Sequence, residues 1–260
     1  MTILKINNIG IAFGGVKAID GVGFSVDAGQ IFSIIGPNGA GKTTLFNVVS
    51  GIYEASQGII ELAGEDVTGL QSDALAVRGL SRTFQNLQIF QRMTAVENVM
   101  VGRHLQERCN LFADLFRLPS VARENNKTRD AALTLLDEVG LLDKANMLAG
   151  SLSYGDCKRL EIARALAAEP RVLLLDEPAA GCNSVETEEI DRLICQVARK
   201  GIAVVLVEHD MKLVMRISSH ILVLERGRSL IEGTPAEVRA NPAVLEAYLG
   251  KHGAREASRA

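Results

Sequence analysis

Gly36-Pro37-Asn38-Gly39-Ala40-Gly41-Lys42-Thr43-Thr44 follows the apolar run Ile31-Phe32-Ser33-Ile34-Ile35 and leads into Leu45-Phe46-Asn47-Val48-Val49-Ser50. The order is strand, glycine loop, helix, and it fits G-x-x-x-x-G-K-[ST] in the context that motif requires. Chemistry explains the spacing. A polyphosphate needs several converging backbone N–H groups, and glycines permit both the close approach and the unusual dihedrals. The helix after the loop adds unpaired N–H groups and the positive end of its dipole. Lys42 is expected to reach the β- and γ-phosphates and the Thr43 hydroxyl to bind Mg²⁺. The bland alternative is a glycine turn with an exposed lysine, which the preceding apolar strand disfavours. Alone, the loop would serve a kinase, a GTPase or a motor.

Composition sets the frame. A chain of 260 residues can hold one large or two small domains with a sizeable core, and 47% of it is apolar. A net charge of −3 gives no general basic field for nucleic acid. Cys109, Cys157, Cys182 and Cys195 form no C-x-x-C pair and suit a reducing compartment better than a disulfide framework or a zinc site. The first residues lack the apolar core of a signal peptide, and runs such as Ile202–Val207 are far too short to span a bilayer. Any membrane role is expected to come through partners.

Residues 3–9, 19–26 and 58–63 read as short strands, predicting a small, mostly antiparallel sheet around the nucleotide strand at 31–35. Phe13, before Gly14-Gly15, either offers an aromatic face to an adenine ring or is a core residue. A short helix at 72–78 and a strand at 80–84 precede Gln85, where the character changes. Residues 86–150 carry helical periodicity, with Val96, Val99 and Met100 in one stretch and Ala132, Leu135, Leu136 and Val139 in another. This block interrupts an otherwise α/β chain and reads as an inserted subdomain. Asn126-Lys127-Thr128-Arg129-Asp130 superficially resembles a guanine-recognition N-K-x-D, but its aspartate is displaced and the segment reads as exposed helix.

Leu152-Ser153-Tyr154-Gly155 opens a helix with Leu160, Ala163 and Ala167 on one side and charges on the other. Such a turn is a second potential anion site, and an ordinary helix start explains it equally well. Arg171-Val172-Leu173-Leu174-Leu175-Asp176-Glu177-Pro178 is more telling. Its apolar run describes a strand buried on both faces, with two carboxylates at the C-terminal end where α/β folds bind ligands. Asp176 can hold the hydration shell of Mg²⁺, and Glu177 can polarise a water in line with a γ-phosphate. A helix at 186–200 and a strand at 202–207 come next, then Glu208-His209-Asp210. A lone histidine is usually structural, but one at the edge of a core strand can reach a phosphate. Strands near 220–225 and 228–232 precede Thr234-Pro235-Ala236-Glu237, a helix start with Pro at N1 and a capping-box glutamate. Residues 251–260 read as a frayed end.

In this order the pieces resemble an ATP-binding subunit of an ABC transporter along nearly the full chain. The nearest resemblance is to the LivG-like group, the ATP-binding subunits of branched-chain amino acid importers. Carrying it are Phe13-Gly14-Gly15, Arg82-Thr83-Phe84-Gln85-Asn86, Met93-Thr94 with Glu97-Asn98-Val99, and the 104–128 insertion. Leu152–Gly155, Leu160–Leu166, Asp176–Gly181, Glu208–Met211, Gly233-Thr234-Pro235 and Ala247-Tyr248-Leu249-Gly250 complete it. The resemblance implies one α/β P-loop cassette with a mixed core sheet, an N-terminal antiparallel β subdomain and an inserted helical subdomain. Its nucleotide-binding core would span 1–85 and 165–250, its helical and signature subdomain 86–164, and its flexible tail 251–260. Also implied are ATP and Mg²⁺ as ligands, with Pro37, Asn38, Gly39, Ala40, Gly41 and Thr44 among the loop contacts. Mg²⁺ would be held by Thr43, Gln85 and Asp176. Two cassettes, as a homodimer or heterodimer, would pair head to tail. Each ATP would then lie between one Gly36–Thr44 loop and the other subunit's Ser153-Tyr154-Gly155. Glu177 would be the general base, His209 the γ-phosphate switch and Gln85 the reporter to integral membrane permease subunits. The complex would work at the cytoplasmic face of the inner or plasma membrane with a periplasmic substrate-binding protein and without nucleic acid.

Departures from the family pattern stand at Asp156-Cys157 after the signature, at Cys182 and Ser184 where Leu and Pro are common, and at Tyr154 in the first signature glycine's place. Asp156 would put an anion near the partner's phosphate and slow hydrolysis, unless its side chain caps the helix. Alternatives are a urea or amide importer, a lipopolysaccharide exporter and a soluble ABC ATPase acting on DNA or ribosomes. The insertion and Glu208-His209-Asp210-Met211 favour the amino acid importer. A soluble ATPase would typically carry two cassettes or long coiled coils, and a small-molecule kinase would lack the Ser153 signature.

Overall fold

The computed structural model describes residues 1–106 and 119–248. Cys109, the 107–118 part of the expected insertion, Leu249, Gly250 and the tail over 251–260 lie outside the described residues. The chain divides into two compact units. The first comprises Met1–Leu80, Arg171–Glu177 and the chain from Ile194 onward, and the second comprises Ser81–Pro170 and Pro178–Leu193.

The first unit is built on two sheets. Strands β1 (Thr2–Phe13) and β2 (Val16–Asp27) form a hairpin turned by Gly14-Gly15. Both glycines have positive φ, 55° and 85°, as a two-residue hairpin turn of this hand demands. Strands β4 (Gln57–Leu62) and β5 (Glu65–Asp66) complete an antiparallel sheet of order β2-β1-β4-β5. The hairpin strands run longer than the sequence pattern suggests, because register shifts between Ile6 and Ile11 break the period-two alternation by which a strand is read.

Ile31–Ile35, strand β3, does not belong to that antiparallel sheet, contrary to the expectation from sequence. It sits inside a second sheet with β6 (Leu80–Arg82), β7 (Val172–Asp176), β8 (Ala203–Val207), β9 (His220–Glu225) and β10 (Arg228–Gly233), in the order β10-β9-β3-β8-β7-β6. Strand β3 is parallel to both β8 and β9, and β7 is parallel to β8. The reason is burial. All five residues of β3 are buried, which requires packing on both faces, and central parallel strands provide it. Phe32 and Ile34 share one cluster with Phe46 of the helix Lys42–Val49 and with Leu4, Ile6 and Phe24 of the antiparallel sheet. Phe24 and Phe32 stack at 4.9 Å. Ile35 points the other way, into a cluster with Val214, Ile221, Val223, Val238 and Val244. Parallel register then brings three strand ends level, since Ile34 pairs with Val207 and Val207 with Asp176.

In the second unit the long helical block resolves into the helices Ala95–Gly102, Pro119–Glu138 and Tyr154–Leu166, with short 3₁₀ turns at Leu142–Lys144 and Ala149–Ser151. A capping box between Thr94 and Glu97 starts the first helix. Fully buried Asn98 ties the chain before it, accepting from the Phe90 N–H at 2.8 Å and donating to the Phe90 carbonyl at 3.1 Å. Gly102 allows the first and third helices to touch, because a Cβ there would lie 2.2 Å from the Arg164 carbonyl oxygen. Gly102→Ala should therefore cost about 1–3 kcal/mol through overpacking, visible as a lower midpoint in urea unfolding followed by circular dichroism.

Candidate functional site

The loop Gly36–Gly41 is shaped by close backbone contact. Gly36 has φ 150° and a Cβ there would stand 2.2 Å from the Leu224 carbonyl oxygen, while Gly41 has φ 102° and a Cβ there would stand 2.7 Å from Ile19 Cδ1. Gly36 and Ala40 are buried, whereas Asn38, Gly39 and Thr43 are exposed and Pro37, Lys42 and Thr44 half-buried. Gly41 is the N-cap of the helix Lys42–Val49, and no side chain caps that end. The helix therefore presents its first N–H groups and dipole to an anion. Lys42 Nζ donates to the carbonyls of Gly36 at 2.7 Å and Pro37 at 3.1 Å. Burial lowers the Lys42 pKa, and the nearby charge of Glu177 works in the opposite direction.

Level with this loop stand the carboxylates. Asp176 is buried at the end of β7, and Glu177 follows it in the left-handed region at φ 49°. A non-glycine residue held there costs on the order of 1–3 kcal/mol and marks a position that its surroundings over-determine. Its N–H is fixed by the Val207 carbonyl at 2.9 Å. His209 Nδ1 lies 3.8 Å from Glu177 Oε1 and 3.8 Å from Glu208 Oε2. Glu208 is buried, and its Oε2 accepts from the His209 N–H at 3.0 Å, so it holds the backbone that presents the imidazole. Phe13 is 47% exposed and meets Tyr53 edge-on at 5.3 Å, which settles against the core alternative. Thus Phe13, Gly36–Thr44, Asp176, Glu177 and His209 all belong to the first unit.

Gln85, Ser153, Tyr154 and Gly155 belong to the second unit. Gln85 is exposed, on a segment whose Gln88 N–H donates to Glu161 Oε1 at 3.3 Å. Glu161 is buried, and that burial raises its pKa while the Gln88 N–H, Lys158, the Phe84 N–H and Arg164 lower it. The charges expected on an outer side of the signature helix are instead largely inside, with Asp156, Lys158 and Glu161 all buried. Pattern reading missed Glu161, because a charged residue in a helix is counted as solvated unless its partners are known.

Ser153 caps this helix by accepting from the Asp156 N–H at 3.1 Å. Asp156 neither caps nor faces outward. It is 5% exposed and receives Lys144 Nζ at 2.6 Å and Arg159 Nη2 at 2.5 Å. Desolvation raises its pKa, but hydrogen bonds from Lys144, Arg159 and Ser153 outweigh it and the net shift is downward. The Tyr154 ring lies over Gly181, where a Cβ would stand 3.0 Å from Cε1, and Gly155 lies against Glu186. Asn183 Oδ1 accepts from the N–H groups of Val185 and Glu186, and Glu186 Oε2 accepts from that of Asn183. This reciprocal cap begins the helix Ser184–Arg199 without a proline at Ser184. Cys157, Cys182 and Cys195 form no disulfide among the described residues.

Among the described residues no helix is long and apolar enough to cross a membrane, and no three His, Cys, Asp or Glu side chains form a metal cluster. The ABC transporter family model matches residues 19–180, and that of the branched-chain amino acid ATP-binding cassette transporter matches residues 232–254. The chain is 46% identical over 250 residues to the high-affinity branched-chain amino acid transport ATP-binding protein BraF of Pseudomonas aeruginosa, covering 96% of this chain and 98% of that one. It is 44% identical, with the same coverage, to the protein of that description named LivG in Escherichia coli K12. A crystal structure of a nucleotide-free cassette from an ABC transporter superposes with a TM-score of 0.84 at 33% identity, covering 96% of this chain and 100% of that one. A dimeric cassette bound to ADP and Pi, 26% identical, superposes at 0.75 over 90% of this chain and 99% of that one. Sequence likeness over nearly the whole length and the shared fold agree: the chain belongs to the ABC transporter family and is one of its ATP-binding, ATP-hydrolysing cassettes.

Proposed function

We propose that this cassette drives a membrane permease that imports branched-chain amino acids. The observation that carries the catalytic part is the left-handed Glu177, fixed by Val207 beside Lys42 and His209 at level strand ends. The match at 232–254 and the names of the BraF and LivG relatives support the substrate class. In this reading the N–H groups of Gly36–Thr44 bind the ATP phosphates, with Lys42 exchanging its two loop carbonyls for β- and γ-oxygens. The exposed Phe13 ring stacks on adenine. Glu177 takes the proton of the attacking water, and His209 contacts the γ-phosphate.

The donor set fits Mg²⁺. Within the first unit it comprises one loop hydroxyl, Thr43, and the buried carboxylate Asp176, matching an ion that keeps several waters and takes its other oxygens from phosphate, and in this reading Gln85 would add an amide oxygen. When bound, the ion would neutralise charge developing on the β- and γ-phosphates. A second cassette would supply Ser153, Tyr154 and Gly155 to the γ-phosphate, as a homodimer or heterodimer, and a periplasmic binding protein would deliver the solute. The complex would sit at the cytoplasmic face of the membrane.

Glu177→Gln should retain ATP binding and lose turnover by about 10²–10⁴-fold; phosphate release at the parent rate would exclude Glu177 as the base. Co-purified with its permease subunits in vesicles, the cassette should hydrolyse ATP faster when leucine, isoleucine or valine is supplied with the binding protein. Stimulation by urea or a lipopolysaccharide instead would overturn the substrate assignment. Because Asp156 is consumed by Lys144 and Arg159, Asp156→Ala should not raise the hydrolysis rate. It should instead cost about 2–3 kcal/mol in urea unfolding at neutral pH. Its carboxyl pKa is depressed in the folded chain, so this contribution is present above the ordinary aspartate range and disappears as pH falls through the folded value.

A further inference from the structure

The phosphate loop is held from outside by a hairpin that takes no part in the chemistry. Strands β9 and β10 are joined by Arg226-Gly227, whose φ values of 48° and 78° are those of a tight two-residue turn. The Gly227 N–H donates to the Ala40 carbonyl at 2.9 Å, and the Gly227 carbonyl accepts from the Asp20 N–H at 2.8 Å. One turn residue thus links the phosphate loop to β2. The space is tight: a Cβ at Gly227 would lie 2.4 Å from the Ala18 carbonyl oxygen, and one at Gly41 would lie 2.9 Å from the same atom. The Asp20 side chain closes the arrangement. Its Oδ2 accepts from Arg228 Nε at 3.1 Å and Nη2 at 2.6 Å, and its Oδ1 accepts from Lys17 Nζ at 3.0 Å. Arg228 directly follows Gly227, so this carboxylate grips the strand just beyond the turn. All of these residues belong to the first unit.

Peptide geometry carries the effect to the ligand side. The Ala40 carbonyl and the Gly41 N–H share one planar trans peptide and point in opposite directions. Fixing the carbonyl toward the turn therefore fixes the N–H away from it, at the N-cap of the helix that begins with Lys42. We propose that Asp20 is a positioning residue for ATP. Through Arg228 it holds the Arg226-Gly227 turn, and through the Gly227 N–H it sets the Ala40–Gly41 peptide, which rests on the reading of Gly36–Thr44 as the ATP loop. The physical basis is preorganisation: a loop held before the ligand arrives loses less freedom on binding. A solvent-facing ion pair of this kind corresponds to about a two- to five-fold change in affinity.

The test uses the full chain as parent, with Asp20→Asn, Arg228→Gln, the two combined, and Lys42→Ala. Lys5→Gln serves as the control, since it breaks a similar ion pair, with Glu61, in the antiparallel sheet. ATP affinity is read by titration calorimetry, and amide exchange by mass spectrometry of the peptide containing Ala40 and Gly41. Asp20→Asn and Arg228→Gln should each lower ATP affinity about two- to five-fold, and the combined variant should fall no further. In all three, kcat at saturating ATP should stay at the parent value, and the loop peptide should exchange faster without nucleotide. Lys5→Gln should match the parent in affinity and loop exchange. Parent-like affinity in either single variant overturns the role of Asp20, whether or not the thermal midpoint falls. So do additive losses in the combined variant, or an equal loss in Lys5→Gln. If the parent binds ATP and Lys42→Ala does not, such a result leaves the ATP loop standing. Failure of the parent to bind ATP, or undiminished binding by Lys42→Ala, overturns both.

Discussion

A strand with no solvent-facing side constrains everything around it. Ile31–Ile35 must be covered above and below, so it takes an interior place with β8 and β9 as parallel neighbours. Parallel neighbours end together, and the segments that leave their C-terminal ends collect at one edge of the sheet. That edge receives a glycine loop, a buried aspartate with a strained glutamate, and a histidine backed by a buried glutamate. The chemistry is thus a consequence of where an apolar strand can be placed. The glycines at 36 and 41 meet the same constraint, since neighbouring chain occupies the space their side chains would need.

The second unit solves a different problem, that of presenting a short polar turn in a defined pose. Ser153 caps its own helix, Tyr154 rests on Gly181, and Gly155 meets Glu186, itself engaged in capping the next helix. The unusual residues in this region therefore have local partners. Tyr154 fills the space above a glycine, Ser184 is served by the Asn183 cap, and Asp156 is neutralised from two sides.

Much of this was legible in the sequence, for identifiable reasons. Glycine spacing, runs of apolar residues and carboxylates at strand ends are local signals, and each of them came with its structural context. The placement of β3 was not local. Sheet membership depends on pairings made across the chain, and bulges in β1 blurred the alternation that would have separated the two sheets. The inward turn of Asp156 and Glu161 was equally hidden, because their partners, Lys144 and the Gln88 N–H, come from other segments.

Glu161 has a wider meaning. A carboxylate rooted in the signature helix accepts from the chain just past Gln85, within one and the same unit. Gln88 and Glu161 stand 73 residues apart in the chain, and this bond ties the segment after Gln85 to the helix that Ser153 opens.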